Sequence, residues 1–287
     1  MSDENSKQPI TFLSKTETDC PVCGLKFRKE EMMTGGGRLN AGDLTEELRR
    51  LYIPSKKYGE INPLIYYITT CPDCLFSASA SDFSEVKSQQ IAELKANTTD
   101  RISSLESVFG SVDFKAKRTL IEGIASYYLA VMALDSFTKD MSPTVKGGIY
   151  CLRSAWLCND LHAKFPSENY DYMAELFYKK ATFYYVKALD YEQDGSEGIG
   201  GAKNLGPDLD KNYCYDGVLY VGAYLQYKYA TIEDEAKHKE ALANAKRIVA
   251  KIFGMGKASK NKPAAILDNA KDLYDKIKNE LKDPSDE

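Results

Sequence analysis

Two short cysteine pairs, Cys20-Pro21-Val22-Cys23-Gly24 and Cys71-Pro72-Asp73-Cys74-Leu75, constrain this chain more than any other feature. Two residues between thiols let one tight turn aim both sulfurs inward, with proline fixing the backbone and glycine supplying a conformation that other residues resist. Two such turns complete a tetrahedron of sulfur, so Cys20, Cys23, Cys71 and Cys74 read as ligands of one metal ion, with zinc the expected occupant. An iron–sulfur cluster draws on the same four thiolates and stays open as an alternative. A thioredoxin-like redox site needs only one such pair, and unligated thiols are the remaining reading. Four thiolates leave no open coordination position, so the site is expected to be structural, its binding free energy becoming folding free energy of the region around it.

The interval from Cys23 to Cys71 exceeds the roughly 15–20 residues usual between ribbon knuckles, which an insertion between the two turns explains. Gly35-Gly36-Gly37 in that insertion reads as a flexible turn; the Lys and Ser or Thr of a phosphate-binding loop do not follow it. The β-branched and aromatic run Ile65–Thr70 reads as a strand leading into the second pair.

From Ser84 onward the apolar spacing changes to that of helices, expected over 85–109, 115–139, 146–165, 168–193, 209–231, 233–254 and 263–282, with Asn97-Thr98-Thr99 a break in the first. Ser142-Pro143, Phe165-Pro166-Ser167, the glycine-rich 195–206 and Pro207, and Gly254 with Gly256 before Pro263 supply the stops and starts. Ala174, Ala181 and Ala188, seven apart, permit close helix approach beside Phe177, Tyr184 and Leu189. The expected fold is therefore mainly α. A flexible arm (1–18) precedes a small zinc-ribbon-like module with short strands and an inserted loop (19–83), then an antiparallel helical-hairpin, tetratricopeptide-like array (84–287). A strict repeat is lacking, and a closed helical bundle is the alternative.

The 287 residues carry a net charge of -4 and a pI near 5.5, which disfavours nucleic acid as a partner. Arg49-Arg50 and Lys56-Lys57 are local exceptions, set among acidic residues. No run approaches the ~20 apolar residues of a membrane helix, and the N-terminus lacks a secretory apolar segment, so a cytoplasmic location is expected.

Other chemistry-bearing residues weaken on inspection. Cys151 and Cys158 share a helical face and read as small core residues; Cys214 is solitary. His162 and His238 have no neighbouring nucleophile or ligand pattern. Asp190-Tyr191-Glu192-Gln193-Asp194-Gly195 opens like a calcium loop, but Gly201 stands where the bidentate Glu belongs. Most of the tyrosines are expected to pack between helices, while Tyr213, Tyr220, Tyr224 and Tyr227 on one helical segment are expected to contribute a partner-binding surface.

CPVCGLKF at 20–27 followed by INPLIYYITTCPDCLFSASASDF at 61–83 resembles the bacterial family known as domain of unknown function 2225. That family pairs two CPxC knuckles with a helical, tetratricopeptide-like tail. Leu75 departs from it, standing where the family has Gly after the fourth cysteine. The resemblance implies architecture and metal, and no mechanism.

No catalytic constellation is legible. The expected function is that of a non-enzymatic, zinc-stabilised adaptor holding a protein or peptide on its helical surface. The rival readings are a nucleic-acid-binding zinc ribbon and an enzyme with a carboxylate site between ribbon and helices.

Overall fold

The structure, a computed structural model, describes residues 8–230, 234–253 and 262–282. The expected ends of helices at 231, 233 and 254, and the stop at Gly254 and Gly256, lie outside the described residues, as do residues 1–7 of the expected arm. Short antiparallel strands occupy the N-terminal part and helices the remainder, so the chain is mainly α as expected. By contacts it divides into two units. Of the described residues, the first takes those up to Thr45 with Arg50–Thr138 and Arg153–Ala174; the second takes Glu46–Arg49, Lys139–Leu152 and those from Glu175 on.

In the first unit, β1 (Thr11–Leu13) pairs with β4 (Glu30–Met32), β2 (Thr18–Asp19) with β3 (Lys26–Phe27), β5 (Ala41–Leu44) with β6 (Arg50–Tyr52), and β7 (Ile68–Thr70) with β8 (Ser77–Ser79). The arm expected over 1–18 is thus corrected from Thr11 onward: β1 is tied to β4 by its ladder, and the Thr11 hydroxyl also donates to Glu30. The strand expected over Ile65–Thr70 is half right. Pro63–Tyr66 is a 3-10 turn, because the Asn62 side chain caps the Leu64 N–H and Pro63 pre-sets the first turn, so extended backbone begins only at Ile68.

Helices α1 (Ala80–Ser84), α2 (Ser88–Ala96), α3 (Thr98–Phe109) and α4 (Leu120–Ala133) follow, with the expected break at Asn97. Helix α4 starts later than expected because Thr119 and Glu122 form a capping box. It packs on β7 and β8, and Gly123 permits this: a Cβ there would lie 3.2 Å from the Ile65 backbone. Arg118, just before α4, donates to the Ile65 and Ile68 carbonyls and so holds the 3-10 turn and β7 in place. The boundary expected between 83 and 84 does not coincide with a division of contacts, since both cysteine turns belong to the same unit as α1 to α4.

Helix α5 spans Pro143–Lys164 and α6 spans Tyr170–Asp194. In the second unit α7 (Cys214–Tyr229), α8 (Glu235–Ala250) and α9 (Ala264–Glu280) pack on one another. Helix α9 buries Ile266, Ala270, Leu273 and Ile277, a three-and-four spacing that forms a single apolar stripe. The glycine-rich stretch after α6 is tied down: Glu197 accepts from the Thr144 N–H and hydroxyl, and the Ser142 hydroxyl donates to the Gly198 carbonyl. Among the described residues no helix is long and apolar enough to cross a membrane.

Candidate metal centre

Each cysteine pair sits at the tip of a two-stranded ribbon, the first between β2 and β3, the second between β7 and β8. The two turns are built alike. The Cys20 N–H donates to the Leu25 carbonyl and the Gly24 N–H to the Cys20 carbonyl; likewise Cys71 N–H donates to Phe76 and Leu75 N–H to Cys71. Closing each turn this way requires a left-handed residue after the second cysteine. Gly24 takes it with φ +79° and Leu75 with φ +57°.

Leu75 therefore performs the backbone task of a glycine, at a cost to a branched residue of about 1–2 kcal/mol. Its side chain explains the exchange: it is buried with Leu105 of α3 and with Ala125 and Leu129 of α4, ringed by Ile102, Phe109 and Met132. Burial of a leucine is worth about 1.5–3 kcal/mol, enough to offset the strain. Leu75→Gly is accordingly expected to destabilise the protein by about 1–3 kcal/mol despite relaxing the backbone, because truncating a buried leucine costs about 2–5 kcal/mol. Gly24→Ala, with open space around its Cβ, is expected to cost only the strain of about 1 kcal/mol. Denaturant unfolding checks both; a more stable Leu75→Gly variant would show that strain dominates.

The four sulfurs converge. Cys20 Sγ lies 3.6 Å from Cys74 Sγ and Cys23 Sγ lies 3.6 Å from Cys71 Sγ, and all four lie within 4.8 Å of one another. No pair is bonded as a disulfide, whose sulfurs approach to about 2.05 Å. A tetrahedron with metal–sulfur bonds of about 2.3 Å has edges of about 3.8 Å, so the sulfur positions fit a single four-coordinate ion. Cys20, Cys71 and Cys74 are buried, and Cys23 is exposed at one corner. As bare thiols the group shares hydrogen bonds: those from Cys71 and Cys74 push Cys20 down, and hydrogen bonding to Cys20 and Cys71 pushes Cys74 up. A cation bound by all four sulfurs would take the place of the thiol protons.

Arg101, which sequence reasoning passed over, lies beside the second turn. Although 2% exposed, its guanidinium donates through Nε and Nη2 to the Cys74 carbonyl at 3.3 and 3.1 Å, and through Nη1 to the Leu94 carbonyl. Burial pushes its pKa down, and the charges of Cys74, Cys20 and Cys71 act in the opposite direction. A divalent ion held by four thiolates carries two net negative charges, and a buried arginine against the Cys74 backbone offsets part of that charge. The available signal was positional: Arg101 stands four residues before Leu105, a cation on the apolar face of α3.

The remaining candidates do not join the centre. Cys151 and Cys158 are buried core residues whose thiols burial pushes up to about 12. Cys214 is exposed. His162 faces Asp171 and His238 faces Glu280. In the calcium-like segment, Glu192 accepts from the Ile199 N–H and Asp194 from the Ser196 N–H, so both carboxylates serve local turns.

The partner surface expected of Tyr213, Tyr220, Tyr224 and Tyr227 needs correction. The first three rings are buried and Tyr227 is half-buried, because α7 is covered by its neighbouring helices. Two of their hydroxyls are engaged by Glu46: Tyr220 donates to its carbonyl and Tyr224 to its carboxylate. The hydrogen bond from Lys276 holds the Glu46 carboxyl below its ordinary value. A depressed carboxylate contributes stability above its unfolded-state pKa and loses it as pH falls through the folded value, so this anchor should weaken only in acid. In an NMR titration the Glu46 midpoint is expected below that of an unperturbed glutamate and to rise in Lys276→Met; an unchanged midpoint in that variant would refute the assignment.

A pair of cysteine knuckles enclosing a potential metal site, in a chain otherwise mainly helical, defines the class. The family model described as an uncharacterized protein conserved in bacteria (DUF2225) matches residues 13–277, and the chain belongs to that family. It is 39% identical over 274 residues to an uncharacterized protein of Borreliella burgdorferi (strain ATCC 35210 / DSM 4680 / CIP 102532 / B31), covering 95% of this chain and 98% of that one. No solved structure matches the chain.

Proposed function

We propose that Cys20, Cys23, Cys71 and Cys74 hold a structural zinc ion, and that the chain is a non-enzymatic adaptor whose helical part binds a protein or peptide. The observation that carries this reading is the closure of the site. Four sulfurs within 4.8 Å of one another occupy every position of a tetrahedral ion, and none is left for water or substrate. Sulfurs this close suit one ion bound by all four; a cluster spreads its thiolates over two or four irons and asks for a wider spacing. A net charge of -4 gives a nucleic-acid role no support.

When bound, the ion would supply cross-linking between the two turns and no chemistry. The cysteines orient it, β2–β3 and β7–β8 orient the cysteines, and Arg101 balances charge. The test joins metal analysis of the purified chain to affinity capture from the native cell. One zinc per chain and a partner lost when the helical surface is altered would support the reading. A turnover activity abolished by one side-chain substitution, or a chain free of bound metal that melts unchanged after chelation, would sink it.

A further inference from the structure

We propose that the tyrosine-lined cradle around Glu46, Glu47 and Leu48 is a peptide-recognition site filled by the chain's own segment, and that its external ligand is a protein segment of like chemistry: two consecutive carboxylates followed by a leucine. This rests on the reading of the chain as a binding protein and names the partner's chemistry.

Glu46–Arg49 lies between β5 and β6 in sequence yet packs within the second unit. Donors from three helices converge on it. Lys276 of α9 donates to one Glu46 carboxylate oxygen at 2.7 Å and Tyr224 of α7 to the other at 3.1 Å; Tyr220 donates to the Glu46 carbonyl at 2.7 Å. Tyr178 of α6 donates to the Glu47 carboxylate at 3.1 Å, and its ring is stacked on Tyr229 with centroids 4.2 Å apart, which fixes the hydroxyl's position. Leu48 is 0% exposed and adopts φ +60°, a conformation unfavourable for leucine that persists only where its surroundings over-determine it.

Each element of this contact has a recognition role. Lys276, aided by Lys228, reads the first carboxylate; Tyr178 reads the second; and the buried Leu48 position supplies the apolar anchor. The Tyr220 bond to a carbonyl reads backbone, independent of side-chain identity. One edge is accessible to a competitor, since the Lys276 and Glu46 side chains are 48% and 54% exposed. A tethered segment competes at an effective concentration in the millimolar range, so an external ligand gains access chiefly when the internal one is weakened.

The test uses the full metal-loaded chain and a fluorescein-labelled peptide reproducing residues 44–50, Leu-Thr-Glu-Glu-Leu-Arg-Arg. The triple variant Glu46→Gln/Glu47→Gln/Leu48→Gly should bind this peptide at least tenfold more tightly than the unsubstituted chain. Replacing both peptide glutamates by glutamine, or adding Lys276→Met to the variant, should cost tenfold or more. Circular dichroism establishes whether the variant is folded. In the unsubstituted chain, millimolar peptide should accelerate amide exchange of residues 44–50 while leaving α4 unchanged. The proposal is overturned by a folded variant without saturable binding. If the variant does not fold, unchanged exchange at millimolar peptide overturns it. Specific capture of a cellular partner by a chain that ignores the peptide would discard this ligand chemistry and leave the adaptor reading standing; loss of both would discard both.

Discussion

Cys71→Ser is expected to abolish stoichiometric metal binding and to unfold the two knuckles together. Cys71 is fully buried, its Sγ lies 3.6 Å from Cys23, and its N–H closes the second turn on Phe76. Serine keeps the backbone bond but offers a neutral hydroxyl in place of a thiolate. Removing one of four soft, charged ligands opens the tetrahedron and leaves the buried Arg101 facing less negative charge. Binding free energies of about 10–16 kcal/mol for structural zinc are comparable with the whole stability of a typical domain, about 5–15 kcal/mol, so even partial loss is severe. Metal analysis should fall from one ion per chain to near none, with a melting temperature lowered by more than about 10 °C, since 1 kcal/mol moves a chain of this size by about 2–4 °C. Cys214→Ser, at an exposed cysteine outside the centre, should leave both unchanged. A Cys71→Ser protein that keeps its metal and melts with the parent would remove the basis for a structural centre.

The second large effect is expected at Phe83 of α1. Its buried ring stacks on Phe76 at 4.8 Å and meets Phe27 edge-on at 6.1 Å. Phe76 closely follows Cys74 and Phe27 closely follows Cys23, so one ring bridges the ends of both cysteine turns. Phe83→Ala should cost about 3–5 kcal/mol through the cavity it leaves. The two lost ring contacts lie within the geometry worth a further 0.5–1.5 kcal/mol per pair. Because the rings set the distance between the turns, metal affinity should fall in parallel, measured by competition with a chromogenic chelator. Phe83→Leu should recover much of the stability and less of the affinity. A cost below about 1 kcal/mol for the alanine variant would show that the metal alone holds the turns together.

The centre was legible to the extent that its chemistry is local. A CPxC turn is decided within six residues by hydrogen bonds from the first cysteine to the fifth residue after it, and residue types alone signal it. The helices were legible for the same reason, as periodic apolar faces; the start of α4 moved because a cap at Thr119 overruled the pattern, and α7 begins at Cys214 rather than at 209. The run Ile65–Thr70 misled because strand-forming side chains were preceded by Asn62-Pro63, whose turn-forming chemistry won over the first half.

What was not legible depends on residues brought together from far apart. Leu75 looks misplaced beside Gly24 until α3 and α4 supply the core that holds its side chain. Arg101 looks like an ordinary helix cation until its guanidinium reaches the Cys74 carbonyl. Tyr220 and Tyr224 read in the sequence as aromatic anchors, but what they hold is Glu46, distant in sequence. Sequence alone determined the candidate ligands, the turn that presents each pair, and the helical character of the remainder, since propensity and periodicity act over one or two turns of chain. Only tertiary structure decided that the four sulfurs meet, which charge lies beside them, and which segment the tyrosines enclose, because those outcomes turn on long-range packing that local composition does not encode.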